Sequence, residues 1–213
     1  MIKVNKKINS GLAIILPNKK TNLFVIFIII LGIISGTIFL TVLNENDKNL
    51  VINQIINFIN NINNNEINNT ISLKNALIEN GIFIIISWIF GMSIIGIVFN
   101  IFLIYLKGFI IGFSISSFFL AYKYKGLLAA FIYIFPTSII NIIITLIIGV
   151  YSILFVINLW KLIFIKDKSI NMKNFLKKYL LILIITVILC LISSLTEAYV
   201  VPAILKLVIK VFI

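Results

Sequence analysis

The sequence predicts an all-α, polytopic integral membrane protein with five transmembrane helices, its amino end cytoplasmic and its carboxyl end outside. Three observations carry this. The 213 residues are 62% hydrophobic, with a mean hydropathy of +1.20. The apolar runs are long and almost free of charge, each enough to cross about 30 Å of hydrocarbon. The eighteen lysines collect between the runs rather than inside them.

The amino-terminal segment 1–22 holds Lys3, Lys6, Lys7, Lys19 and Lys20 and no acid, which marks it as cytoplasmic. The first span, 23–43, is longer than the apolar core of roughly 7–15 residues found in a signal peptide, and is read as retained. Its Gly32-x-x-x-Gly36 spacing opens one face to a close neighbour.

Residues 44–80 form the one sizeable polar segment, an outer loop with four acids against two lysines. Within it Ile52, Ile55, Ile56, Ile59 and Ile62 recur at helical spacing, with Asn53, Asn57, Asn60 and Asn61 opposite. An amphipathic helix on the membrane face or against a partner fits this pattern, and so does an asparagine-rich linker.

The run 82–122 contains one charge, Lys107, and divides there into spans 82–106 and 108–122 through a cytoplasmic turn at Leu106-Lys107-Gly108. Gly108, Gly112, Ser114 and Ser116 give the second piece a small-residue face. Tyr122, Lys123, Tyr124 and Lys125 mark the outer interface. In the charge-free run 126–160, Pro136 is expected to break or kink the helix. That gives a partly inserted helix at 126–134 and a span at 137–160. The basic loop 161–178 is cytoplasmic, the last span is 179–201, and the tail with Lys206 and Lys210 is expected along the outer interface.

Composition also removes function classes. With no arginine, bidentate phosphate clamps and groove readers are out of reach, so nucleic acid is not an expected partner and the lipid bilayer is. With no histidine, Ser-His-Asp triads and His-ligated zinc are excluded. Cys190 is alone and lies in an apolar run, a small hydrophobe rather than a reactive thiol. No catalytic, metal-binding or cofactor-binding set is expected, and no enzymatic activity.

Glu197 is the acid that stands inside a hydrophobic run. A charge at the middle of a span costs roughly 2.5–3.5 kcal/mol, and less toward its ends. Three readings fit it: pairing with a polar group of another span (Asn141, Thr137 or Ser114), docking a partner, or holding a proton or ion. It also lies near enough to the exit to reach outer water. Asn100 and Asn158 are the other span amides expected to face protein or the interface.

Several words in this chain occur together in one family. They are Asn80; Trp88, Gly91, Ser93 and Gly96 in Trp-x-x-Gly-x-Ser-x-x-Gly; Leu106-Lys107-Gly108 with Gly112-Phe113; Pro136; and Ser193-Ser194-x-x-Glu197-Ala198-Tyr199-x-x-Pro202. With them, from about residue 20 to the carboxyl end, the chain resembles the stage II sporulation protein M family of endospore-forming Firmicutes. Each word is weak alone; their order and spacing are specific. Val98 stands where members often place a proline. Thr137 and Asn141 stand where wider relatives tend to have histidine and glutamate, which would remove the ionisable groups from that place.

The resemblance implies a non-enzymatic scaffold in the septal, engulfing membrane of the mother cell. Such a scaffold recruits membrane-anchored peptidoglycan hydrolases for forespore engulfment. It also points to Glu197, Ser194, Tyr199, Lys107, Gly108, Trp88 and Asn80 as helix-packing or partner-docking residues, and Asn141 joins them as a polar residue of an apolar run. A permease-like transport component, with a site around Glu197 and the Pro136 break, is the alternative.

Overall fold

A computed structural model describes residues 18–64, 68–166 and 171–212, with side chains up to Lys206. The described residues are helical, with no strand. Four helices are long and apolar enough to cross a membrane.

Helix α1, Lys19–Val42, starts at Asn18, whose side chain accepts from the Lys20 amide at 3.0 Å. Val25, Ile29, Gly32, Gly36 and Leu40 form its buried stripe, while Phe24, Phe27, Ile30 and Ile34 are exposed. A helix apolar on every side is suited to lipid. Helix α2, Glu45–Asn63, has Glu45 and Asp47 in its first turn, where acids complement the helix dipole. It buries Ile59 and Ile62 and exposes Asn53, Asn57, Asn60 and Asn61, so the isoleucine stripe makes an amphipathic helix rather than a linker.

Helix α3, Asn69–Phe90, begins at Asn68, which caps the Thr70 and Ile71 amides. The chain then reverses over Gly91–Ile95 into α4, Gly96–Trp160. As a straight rod, 65 residues would extend roughly 100 Å, about three hydrocarbon thicknesses. Lys123 (φ 53°, ψ −131°) folds α4 into two arms, 96–122 and 124–160. The arms run antiparallel: Phe118 packs near Tyr133, and Gly149 lies against Ile104. A π-helical turn, Lys161–Ile165, ends α4 at Lys166, which is left-handed. Helix α5, Met172–Leu195, continues through a second π-helical turn, Thr196–Val200, into α6, Val201–Phe212.

The glycine pairs decide the tightest packing. A Cβ at Gly32 or Gly36 would strike the carbonyls of Tyr105 or Phe109, and one at Gly108 or Gly112 those of Ile29 or Ile33. The GxxxG face of α1 therefore seats on Gly108-x-x-x-Gly112 of the first arm, backbone against backbone, with the two helices parallel. The Tyr105 hydroxyl, donating to Ser35 Oγ at 2.6 Å, ties the same seam. The second arm lies antiparallel to α5, with Ser152 opposite Tyr179 and Asn141 opposite Ser193. Helix α3 lies antiparallel to the first arm, with Ser87 opposite Asn100 and Asn80 opposite Lys107.

Two sequence expectations change. The turn expected at Leu106-Lys107-Gly108 is interior helix; the reversal is at Gly91–Ile95, and the helices on either side are α3 and the first arm instead of 82–106 and 108–122. Hydropathy assigns a lone lysine to a membrane edge, whereas Lys107 has partners on α3 that hold it inside the bundle. The separate helix expected at 126–134 is part of the second arm, which stays helical through Pro136. Proline removes one N–H bond, and packing against neighbouring helices sustains the rest. The start of the tail packs on the bundle: Val201 and Leu205 are fully buried, Leu205 in a cluster with Ile59, Ile62, Phe118, Ala130 and Ile134.

Candidate functional site

Polar residues recur every fourth position along the second arm: Tyr133, Thr137, Asn141 and Thr145. A helix turns these onto one face. That face lines a cavity of about 210 Å³ at the centre of the bundle. Helix α1 contributes Ile29, α3 contributes Glu79 and Asn80, and the first arm contributes Lys107, Gly108 and Ser114. Glu197 enters from the π-helical turn Thr196–Val200. A π turn inserts an extra residue per turn and often marks functional positions.

Lys107 is the fixed charge of the site. Its side chain is 14% exposed, and its Nζ lies 3.4 Å from Glu79 Oε1. It donates to Asn80 Oδ1 at 3.1 Å and stands 5.1 Å from the centre of the Phe83 ring. Asn80 is itself buried. On the opposite wall, Ser193 donates to Asn141 Oδ1 at 3.0 Å, Thr145 to the Asn141 carbonyl at 2.7 Å, and Thr137 to the Ile134 carbonyl at 3.2 Å.

A second cavity, of about 190 Å³, adjoins the first. It shares Glu79, Tyr133 and Glu197 with it and is otherwise lined by Phe58, Ser72, Asn75, Ala76 and Pro202. Phe58 of α2 packs edge-on to Tyr133, with ring centres 4.9 Å apart. The polar space thus extends from the bundle centre toward the end covered by α2 and α6.

The structure brings together Asn80, Lys107, Gly108, Asn141 and Glu197 from the sequence-derived set. Thr137 and Ser114, considered as partners of Glu197, share its cavity. A cytoplasmic turn at Lys107 and an outer exit near Glu197 would separate these two residues; they line one cavity because Lys107 is mid-helix. The ionisable groups that line the cavity beside Thr137 and Asn141 are Glu79, Lys107 and Glu197, from other segments. Ser194 is fully buried next to this wall, and Tyr199 is exposed.

Trp88 belongs to a different cluster. It stacks on Tyr179 with ring centres 5.7 Å apart, and the Tyr179 hydroxyl donates to the Trp88 carbonyl at 3.0 Å. Ser152 completes the contact at 2.9 Å from that hydroxyl. Gly91 leaves room for both, since a Cβ there would strike Ser152 Oγ and the Tyr179 hydroxyl. The Trp88–Gly91 spacing is therefore structural.

Glu79 was missed. It reads as an acid of the polar loop, yet α3 starts ten residues earlier, at Asn69, and carries it to Lys107. The fourfold period Tyr133-Thr137-Asn141-Thr145 was the readable signal for the cavity wall. Among the described residues, no group of three or more His, Cys, Asp or Glu side chains could hold a metal ion.

A family model described as stage II sporulation protein M matches residues 24–202. No curated protein and no solved structure matches the chain.

Proposed function

Since the chain belongs to the stage II sporulation protein M family, we propose that it is a non-enzymatic membrane scaffold of sporulation. It recruits membrane-anchored peptidoglycan-degrading proteins and localises them to the septal membrane of the mother cell for forespore engulfment. The observation that carries this reading is α2. The helix is clamped to the bundle through Phe58, Ile59 and Ile62, and it turns Asn53, Asn57, Asn60 and Asn61 outward. That leaves a fixed, amide-rich face free for a protein partner.

The topology that suits this role has five crossings, with the amino end cytoplasmic. Successive long segments alternate in direction, and α1 is parallel to the first arm, as five crossings require. The lysine-rich segments 1–22 and 161–178 then share the cytoplasmic side. Helix α2 faces the side where the wall lies.

Crosslinking and co-purification from sporulating cells test the proposal. Wall hydrolases are expected with the wild-type chain. Replacing the four α2 asparagines by lysine is expected to lower their recovery at least tenfold at equal abundance. Normal engulfment in a clean deletion strain would overturn the reading. The transport alternative loses the Pro136 break but keeps the cavity around Glu197. Gradient-driven flux in proteoliposomes that vanished with Glu197→Gln would favour it.

A further inference from the structure

The charges lining the central cavity do not balance. Two carboxylates, Glu79 and Glu197, face it against one ammonium, Lys107. That ammonium is engaged by Glu79 and Asn80. The Glu197 carboxylate is left as the surplus negative charge, inside a bundle whose outer surface is apolar. A carboxylate in such a place needs a counter-charge, since desolvating it alone is costly.

Part of the wall is polarised in the same sense. The Thr137 and Thr145 hydroxyls both give their protons to backbone carbonyls. What they retain are oxygen lone pairs, and both side chains are more than nine-tenths buried at the cavity. The Asn80 and Asn141 side chains also line the space and accept through their Oδ1 atoms, which leaves their amide N–H groups as donors, so it is the excess negative charge that selects a positive guest. Five segments line the space, and its volume of about 210 Å³ suits a small guest. Lys107 holds the net charge of the ionised lining to minus one, which suits a monovalent guest better than a divalent one. Hard cations favour such oxygen donors.

We infer that the central cavity is a binding site for one compact monovalent cation, an alkali ion or a primary ammonium group, with Glu197 as its counter-charge. The cation enters from the α2 side through the adjoining cavity, past Ser72 and Asn75 and between Glu79, Tyr133 and Glu197. This goes beyond the scaffold reading and does not depend on it.

The test uses the full chain purified in detergent, without partners. Thermal unfolding is followed while sodium, potassium or methylammonium chloride replaces N-methyl-D-glucamine chloride at constant ionic strength. A ligand that binds the folded state raises the midpoint in a saturable way. A saturable rise with at least one small cation is expected, and the sodium, potassium and methylammonium arms show whether the guest is a metal ion or an ammonium. Glu197→Gln is expected to weaken that response at least tenfold in apparent Kd. Glu45→Gln, which alters an acid outside this cavity, is expected to keep it. If Glu197→Gln does not accumulate, the wild-type titration decides alone. A response that is absent, unsaturable or confined to divalent ions overturns the assignment, and so does an equal response in Glu197→Gln. Because no partner is present, failure here leaves the scaffold reading intact, and loss of hydrolase recovery leaves the cation site intact.

Discussion

Lys107 shows how one side chain can organise a membrane bundle. Its ammonium is held by Glu79 and Asn80 from α3, with Glu197 on the same cavity. Removing the cation leaves Glu197, at the cavity, and Glu79, whose side chain is 66% exposed, without the ammonium between them. Lys107→Met is therefore expected to destabilise more than the double variant Lys107→Met with Glu197→Gln, which removes the orphaned charge as well. Unfolding midpoints of the two singles and the double measure this; additivity would refute the coupling. Tyr179 is a milder case. Tyr179→Phe keeps the stack on Trp88 and loses the hydroxyl that joins Ser152 to the Trp88 carbonyl. The expected cost is about 1 kcal/mol, the usual net worth of such a bond, read as a lower midpoint with the fold retained.

At the scale of elements, the glycine seam and the α4 reversal make opposite demands on side chains. The α1–α4 contact has no room for a Cβ at Gly112, which would enter the Ile33 carbonyl. Gly81 has nothing within 4 Å. Gly112→Val is expected to lose well over 2 kcal/mol, the range of strained overpacking. Gly81→Ala is expected to gain up to about 1 kcal/mol from helix propensity; folded yield in detergent separates the two. At Lys123 a non-glycine residue holds φ 53°, so Lys123→Gly is expected to raise stability by up to about 1 kcal/mol. An unchanged or lower midpoint would mean that the lysine side chain outweighs the backbone strain. Much of this level was readable: the Gly32-x-x-x-Gly36 face, the isoleucine period of α2, and an interface at Tyr122–Lys125, where the chain reverses. Lys107 and Pro136 were misjudged for one physical reason. Hydropathy and proline rules are local, while the groups that hold Lys107 in place lie on another helix, 28 positions away at Glu79. The cavity was legible in part. Asn141, Thr137 and Glu197 stood out as polar residues in apolar runs, whereas Glu79 looked like one more loop acid.

For the whole molecule, the alternation of helix directions becomes a statement about sides of a membrane. If α1 leaves the cytoplasm, α2 and the Lys123 reversal lie outside, and the Gly91–Ile95 turn and the start of α5 lie inside. The lysine distribution favours this choice, with five lysines before residue 23 and six in 161–178. The charge rule acts through short flanking segments, so it fixes orientation without fixing the helices themselves. Cysteine labelling can read the sides directly, because the single native thiol, Cys190, is buried and can be replaced by serine. In a Cys190→Ser background, Asn57→Cys on the exposed face of α2 is expected to react with a membrane-impermeant maleimide added to intact cells. Lys173→Cys, exposed at the start of α5, is expected to react only after the membrane is opened. The reverse pattern would invert the bundle and place the asparagine face of α2 in the cytoplasm, away from any wall enzyme. Labelling of both sites in intact cells would break the five-crossing arrangement itself, since α2 and the start of α5 are separated by an odd number of long segments: α3 and the two arms of α4.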